Sequence, residues 1–147
     1  MAFRFSLEPV LRLRLGYERL ERLKLLAIVA MLVRVKEEIT AAAREEANAR
    51  RVRRQILAHG AAAAEIQWGV SAEKARARRN RELFDRLASL ERQHAKQTRA
   101  YQIARRNREI VENLRARKLQ EYRRERNRRE QQSIDELYIL RPASLPE

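Results

Sequence analysis

The sequence predicts an all-α protein of two long helices folded back on each other as an antiparallel coiled-coil hairpin, with the C-terminal helix the longer. Three observations predict it. Only 3 Gly and 3 Pro occur in 147 residues, too few for the turn every ten residues or so that a sheet fold needs. Ala, Leu, Arg and Glu dominate, the composition of long helices, whereas disordered chains lean on Pro, Ser, Gly and Gln. Apolar residues recur at spacings of three and four over two long stretches separated by one break.

The first helix is predicted over residues 7–58, where Pro9 and Gly16 are the only breakers. Ser6 is the candidate cap and Glu8 complements the positive end of the helix dipole. Pro9, at the third helical position, lacks a donor that would have no partner there. The seam reads Val10, Leu13, Tyr17, Leu20, Leu23, Ala27 and then, after a small phase slip, Ile28, Leu32, Val35, Ile39, Ala42, Ala49 and Ile56, interrupted by Glu46 and Arg53. His59-Gly60 is a helix end, since Gly tolerates the left-handed conformation. Residues 59–71 are the expected hinge, with Ala61 to Trp68 a short helical piece and Gly69-Val70-Ser71 restarting the chain. The second helix is predicted over 72–140, closed by Pro142 and Pro146, with 141–147 a short tail. Its seam reads Leu83, Leu87, Leu90, His94, Gln97, Tyr101, Ala104, then Ile110 or Val111, Leu114, Lys118 and Tyr122.

Helices of these lengths run roughly 75 Å and 100 Å, so a fold-back between residues 60 and 70 makes the second overshoot the first by roughly 25 Å. The segment after about Arg124 then projects unpaired. The expected whole is a single elongated hairpin domain over 1–147. Its thin core offers no room for a small-substrate pocket, so it is expected to act by contact.

The charge balance points to the kind of partner. There are 34 Lys and Arg against 20 Asp and Glu, a net charge of +14, and only five of the basic residues are Lys. Guanidinium groups stay charged and bind carboxylate or phosphate bidentately. The surplus predicts nucleic acid, an anionic membrane surface or an acidic protein cavity as partner.

Several chemistries are not expected. The chain has no Cys, hence no disulfide or thiolate metal site. Met1 to Ser6 shows no basic start, apolar run and small-residue cleavage site, so a secretory leader is not expected. The longest apolar run, Leu25 to Val33, is bounded by Lys24 and Arg34 and falls well short of the ~20 residues of a membrane span. His59 and His94 lack a helical-spaced metal-ligand partner, and Gly16, Gly60 and Gly69 are isolated, leaving no phosphate-binding loop. No catalytic, cofactor-binding or metal-binding residue is predicted, and the chain is read as non-enzymatic.

Four features carry two or more readings each. The Leu25–Val33 block is apolar on every side, so it is core of an oligomer or an intramolecular bundle, a docking site for another protein, or a membrane-surface helix, the last disfavoured because it has no basic polar face. The basic stretch from Arg99 to Arg129, with Glu109, Glu112, Glu121 and Glu125 interleaved and Glu130 following, is a solvated helix surface, a contact for an acidic protein or a nucleic-acid site; the acids count against phosphate. Leu83, Leu87, Leu90 and His94, with Phe84 beside them, either pack on the first helix or face a partner. Trp68 is expected to tuck back onto the hairpin, the alternative being presentation outward.

The two ends carry a family resemblance. The opening Phe3-Arg-Phe-Ser-Leu-Glu-Pro-Val-Leu-Arg-Leu-Arg14 resembles the start of FliJ-type flagellar export proteins. Asn113-Leu-Arg-Ala-Arg-Lys-Leu-Gln-Glu-Tyr122, with Glu125, Arg128-Arg-Glu-Gln131 and Ile134-Asp-Glu136, is similar to that family's C-terminal half. The resemblance implies a coiled-coil hairpin like a rotary-ATPase stalk, in the cytoplasm and peripherally associated with the inner membrane through the export apparatus. It implies contacts with the export ATPase hexamer, the cytoplasmic domain of the export gate and export chaperones, with no cofactor and no nucleic acid. Carried onto this sequence, Phe3, Phe5, Leu7, Val10, Leu11, Tyr122, Arg128, Arg129 and Gln131 would meet the ATPase ring, and Leu83, Phe84, Leu87 and His94 the gate. An injectisome stalk of the same architecture is the near alternative, and an Arg-rich helical nucleic-acid-binding protein the distant one.

Overall fold

The computed structural model describes residues 3–139. It consists of α1 (Glu8–Ala58) and the longer α2 (Ala63–Ile139), packed against each other as a helical hairpin, with no strand among the described residues. The predicted tail at 141–147 and the predicted last residue of the second helix, Leu140, lie outside the described residues. The chain divides into two compact units, Arg19–Gln102 and Met1–Glu18 with Ile103–Glu147.

The unit Arg19–Gln102 contains the bend. His59 and Gly60 donate their backbone N–H groups to the carbonyls of the last turn of α1, and the His59 ring bonds the Gln55 carbonyl through Nδ1 at 2.8 Å. Gly60 then takes a φ of 82°, the left-handed conformation expected of it. The restart differs from the prediction. α2 begins at Ala63, and Gly69, Val70 and Ser71 lie inside it. The cap is half of a capping box, in which the Glu65 carboxylate accepts the Ala62 backbone N–H at 3.2 Å while Ala62 has no side-chain oxygen to reciprocate. The hinge is therefore four residues long, 59–62, because a lone Gly costs a helix only about 1 kcal/mol and does not end it.

Pairing in this unit is antiparallel. Glu45 meets Arg79, Glu46 meets Asn80 and Arg53 meets Glu73, pairs whose residue numbers add to 124–126. That register sets Val35 level with Leu90 and Ala42 level with Leu83, and these four are the buried core of the unit, Val35 at 0% exposure. Leu25, Ile28, Leu32, Ile39 and Ala49 on α1, and Leu87, His94, Gln97 and Tyr101 on α2, are half-buried along the same line.

The other unit closes the chain ends. Leu11 is its buried residue, at 7% exposure. Glu18 and Arg108, at 16% and 19% side-chain exposure, form an ion pair at 2.7 Å across the seam, and Glu8 pairs with Arg115 at 3.0 Å. The Phe3 and Tyr122 rings meet at 5.6 Å between centroids. Every described residue from Arg123 to Ile139 is exposed, in agreement with an unpaired end to α2.

The first half of the predicted α1 seam is corrected by this packing. Leu13, Leu20 and Leu23 are 55%, 49% and 60% exposed and Tyr17 is half exposed, while Leu11, Arg14, Glu18, Glu21 and Leu25 are buried or half-buried. One unbroken heptad runs from Leu11 to Ala49, with no phase slip at Ala27-Ile28. Tertiary pairing overrides local hydrophobicity here, because the partner positions on α2 include Gln97 and Arg108, which match Glu21 and Glu18 by hydrogen bonding.

Candidate partner-binding surfaces

With so thin a core, function must lie in exposed side chains, and the sequence-predicted contacts divide sharply by burial. Of the terminal set, Leu11 is buried and the Phe3 and Tyr122 rings meet at a 51° tilt, so these three close the hairpin. Phe5 is half-buried, and Leu7 and Val10 are 37% and 36% exposed. Phe3, Phe5 and Leu7 line an open groove of about 330 Å³ with Leu114, Lys118 and Tyr122. Further along α2, Arg129 pairs with Glu125 at 3.0 Å and Gln131 bonds Asp135 at 3.1 Å, while Arg128 is exposed with no ion pair among the described residues.

Of the second set, Leu83 is 7% exposed and faces α1, so it is core and not a free contact. Leu87 and His94 are half-buried; the His94 carbonyl accepts the Thr98 hydroxyl at 2.8 Å. Phe84 alone of this set is well exposed, at 57%. It borders an open cleft of about 530 Å³ lined largely by charged groups, among them Glu46, Arg53, Glu73 and Arg76. Arg76 Nε is buried there without a hydrogen-bond partner.

A third cleft, of about 690 Å³, lies at the bend and is lined by Val52, Ile56, Leu57, Ile66 and Trp68 with Arg53 and Arg76. Trp68 is 78% exposed, the outward alternative and not the tucked one. No sequence signal marked this cleft, because it depends on α2 beginning at Ala63. The Leu25–Val33 block splits as its all-round character requires. Leu25, Ile28 and Leu32 enter the seam, and Leu26, Val29, Met31 and Val33 stay 38–53% exposed.

Electrostatics within the seam are set by specific partners. Hydrogen bonds from Lys24 and then Gln97 hold the Glu21 carboxyl below its ordinary value. Arg108 is pushed above the usual arginine range chiefly by its hydrogen bond to Glu18, with Glu112 adding to it. No group of His, Asp or Glu among the described residues is arranged to hold a metal, and no described helix is long and apolar enough to cross a membrane.

No protein-family model, curated protein or solved structure matches this chain.

Proposed function

We propose that this chain is a non-enzymatic component of the flagellar type III export apparatus, coupling the export ATPase ring to the membrane export gate and handling export chaperones. The observation that supports the reading most is the convergence of the two motifs that carry the resemblance. The Phe3-Arg-Phe opening and Tyr122 come from opposite ends of the sequence and meet ring to ring in one unit. A stalk of this kind needs its ends held together and a single basic helix continuing past them, and the exposed stretch after Tyr122, with Arg123, Arg124, Arg126, Arg128 and Arg129, suits an acidic ring lumen. The protein works in the cytoplasm at the inner membrane and needs no cofactor.

The test is a pull-down of the purified chain against export ATPase and against the gate cytoplasmic domain, with a deletion of residues 124–147 for comparison. ATPase binding lost on the deletion and weakened by Arg128→Ala with Arg129→Ala is the expected result. For the gate, Phe84→Ala is the informative change, since Leu83→Ala would also damage the core. Unchanged ATPase binding in both the deletion and the double substitution overturns the terminal assignment. Tight, steeply salt-dependent retention of random DNA on a filter would favour a nucleic-acid binder instead.

A further inference from the structure

The unit formed by the chain ends carries an apolar face that the hairpin leaves uncovered. Taking Leu11 and Glu18 as one seam position and Arg14 as the next, Val10 and Tyr17 flank the seam on one side and Leu13 lies just beyond them. On α2, Leu114 holds the same flanking position beside Arg108 and Val111, and Ile103 and Ile110 lie just beyond. Antiparallel helices related by a two-fold axis across the pair keep equivalent positions on the same side. Val10, Leu13, Tyr17, Ile103, Ile110 and Leu114 therefore form two parallel rows on one face, at 36%, 55%, 50%, 62%, 59% and 38% exposure. Together they expose on the order of 500 Å² of side-chain surface, at the upper end of what one patch on a monomer normally leaves uncovered. Two rows at helical spacing with a groove between them are shaped to receive a third helix.

The charges say what kind of helix. Every glutamate of this unit from Glu8 to Glu130 is paired within the chain: Glu8, Glu18, Glu109, Glu112, Glu121, Glu125 and Glu130 each hold an Arg or Lys. Arg14, Arg106 and Arg117 have no ion pair among the described residues. They stand at the patch. Arg14 is half-buried between Val10 and Tyr17, Arg106 is exposed between Ile103 and Ile110, and Arg117 is exposed one turn beyond Leu114. A second copy that meets this face with its own brings the same arginines, and the glutamates around them are already paired, so symmetric self-association on this face sets like charge against like. We propose that this face docks an amphipathic helix of another protein whose apolar stripe is bordered by acidic residues.

The probe is a synthetic helical peptide of about 20 residues, long enough to stay helical, with Leu at the seam positions and Glu on both borders. Its twin carries Lys in place of Glu. Binding to the full chain is followed by fluorescence anisotropy. The Glu-bordered peptide should bind, and the Lys-bordered one should bind at least tenfold more weakly. Arg106→Glu with Arg117→Glu should weaken the first by about tenfold, the scale of a few desolvated charge pairs, and Arg123→Glu with Arg128→Glu, outside the patch, should leave it unchanged. Leu13→Ser with Ile110→Ser should abolish it while circular dichroism stays helical. Equal binding of the two peptides, equal loss from the tail substitutions, or sedimentation showing a dimer that the Leu13→Ser change dissociates would each overturn the proposal. So would binding of anionic vesicles that is lost on Leu13→Ser with Ile110→Ser while the Glu-bordered peptide fails to bind.

Discussion

The phase of the α1 seam near the chain ends can be tested by comparing neighbours of identical chemistry. Leu11 is 7% exposed, whereas Leu13 and Leu20 are 55% and 49% exposed. Truncating a buried Leu to Ala costs about 2–5 kcal/mol in a compact core. A two-helix seam lets water reach the edge of any cavity, so Leu11→Ala belongs at the low end, about 2 kcal/mol. Leu13→Ala and Leu20→Ala remove side chains already half in water, and Ala gains helix propensity over Leu, so each should stay within about 0.5 kcal/mol of wild type. At this chain length 1 kcal/mol is roughly 2–4 °C in Tm. Leu11→Ala should therefore lower Tm by about 6 °C and the other two by no more than about 2 °C. Urea titrations followed by far-ultraviolet circular dichroism measure the same differences, provided the slopes agree among variants. If Leu13→Ala and Leu20→Ala cost as much as Leu11→Ala, the seam runs through the more apolar stripe and the packing described above is wrong.

Tests at four other sites report on the bend and on the polar seam. Gly60 has a φ of 82° and open space around its α-carbon, so Gly60→Ala should cost about 1 kcal/mol from backbone strain alone. Gly69→Ala, in a helix interior with nothing within 4 Å of the added carbon, should instead raise Tm by a degree or more; a loss at Gly69 would argue for a hinge there. Arg108→Leu leaves Glu18 half-enclosed and should cost about 2 kcal/mol, whereas adding Glu18→Leu should recover most of that or exceed wild type; chemical denaturation of wild type, the two single Leu variants and the double measures it. Glu21 has a folded pKa below its ordinary 4.5, so its contribution is present above that ordinary value and lost as pH falls through the lowered one. The stability gap between wild type and Glu21→Gln should thus be constant near neutrality and close in acid, read from urea midpoints across pH.

How far the fold was legible in the sequence depends on where polar and apolar signals agree. Along α2 they agree as far as Ala104: Leu83 and Leu90 are buried, and Leu87, His94, Gln97, Tyr101 and Ala104 follow the predicted line, whereas beyond it the predicted Leu114 and Lys118 are exposed and Arg108 and Val111 hold the seam. Agreement holds too for α1 from Ile28 to Ala49. Toward the start of α1 they conflict. The apolar stripe through Leu13, Leu20 and Leu23 is stronger than the true seam through Arg14, Glu18 and Glu21, and periodicity of hydrophobicity follows the stronger stripe. Extending the heptad of Leu32 and Leu25 backward without a slip reaches Glu18 and Leu11, and that was the available signal. The start of α2 was missed for a different reason. Ala62 offers no capping side chain, so Ser71 looked like the better N-terminus. Of the candidate contacts, burial of Leu11 and Leu83 follows from seam position, while exposure of Trp68 follows from the geometry of the bend and had no counterpart in spacing.

The polar seam residues also explain why so thin a hairpin keeps one register. A purely apolar pair of long helices can slide by a heptad at little cost, since one Leu layer replaces another. In the unit with the bend, such a slide in one direction sets Glu46 level with Glu73, two like charges, and in the other sets it level with Leu87, leaving the carboxylate without Asn80. Arg53 would trade Glu73 for Asn80 or for Ile66. In the unit with the chain ends, one slide gives Glu8 the Arg108 guanidinium but takes it from Glu18, the other gives Glu18 Arg115 but sets Glu8 level with Tyr122, and either costs Phe3 its ring contact with Tyr122. Each exchange forfeits a matched pair worth roughly 0.5–1 kcal/mol at these exposures, and a slide forfeits them together. Stability and register are thus divided between different residues: Leu11, Val35, Ala42, Leu83 and Leu90 hold the helices together, and the charged and amide pairs decide where along each other they stop. Apolar side chains that take no part in either task, on the flank of Leu13 and Ile110, are then free for a third helix.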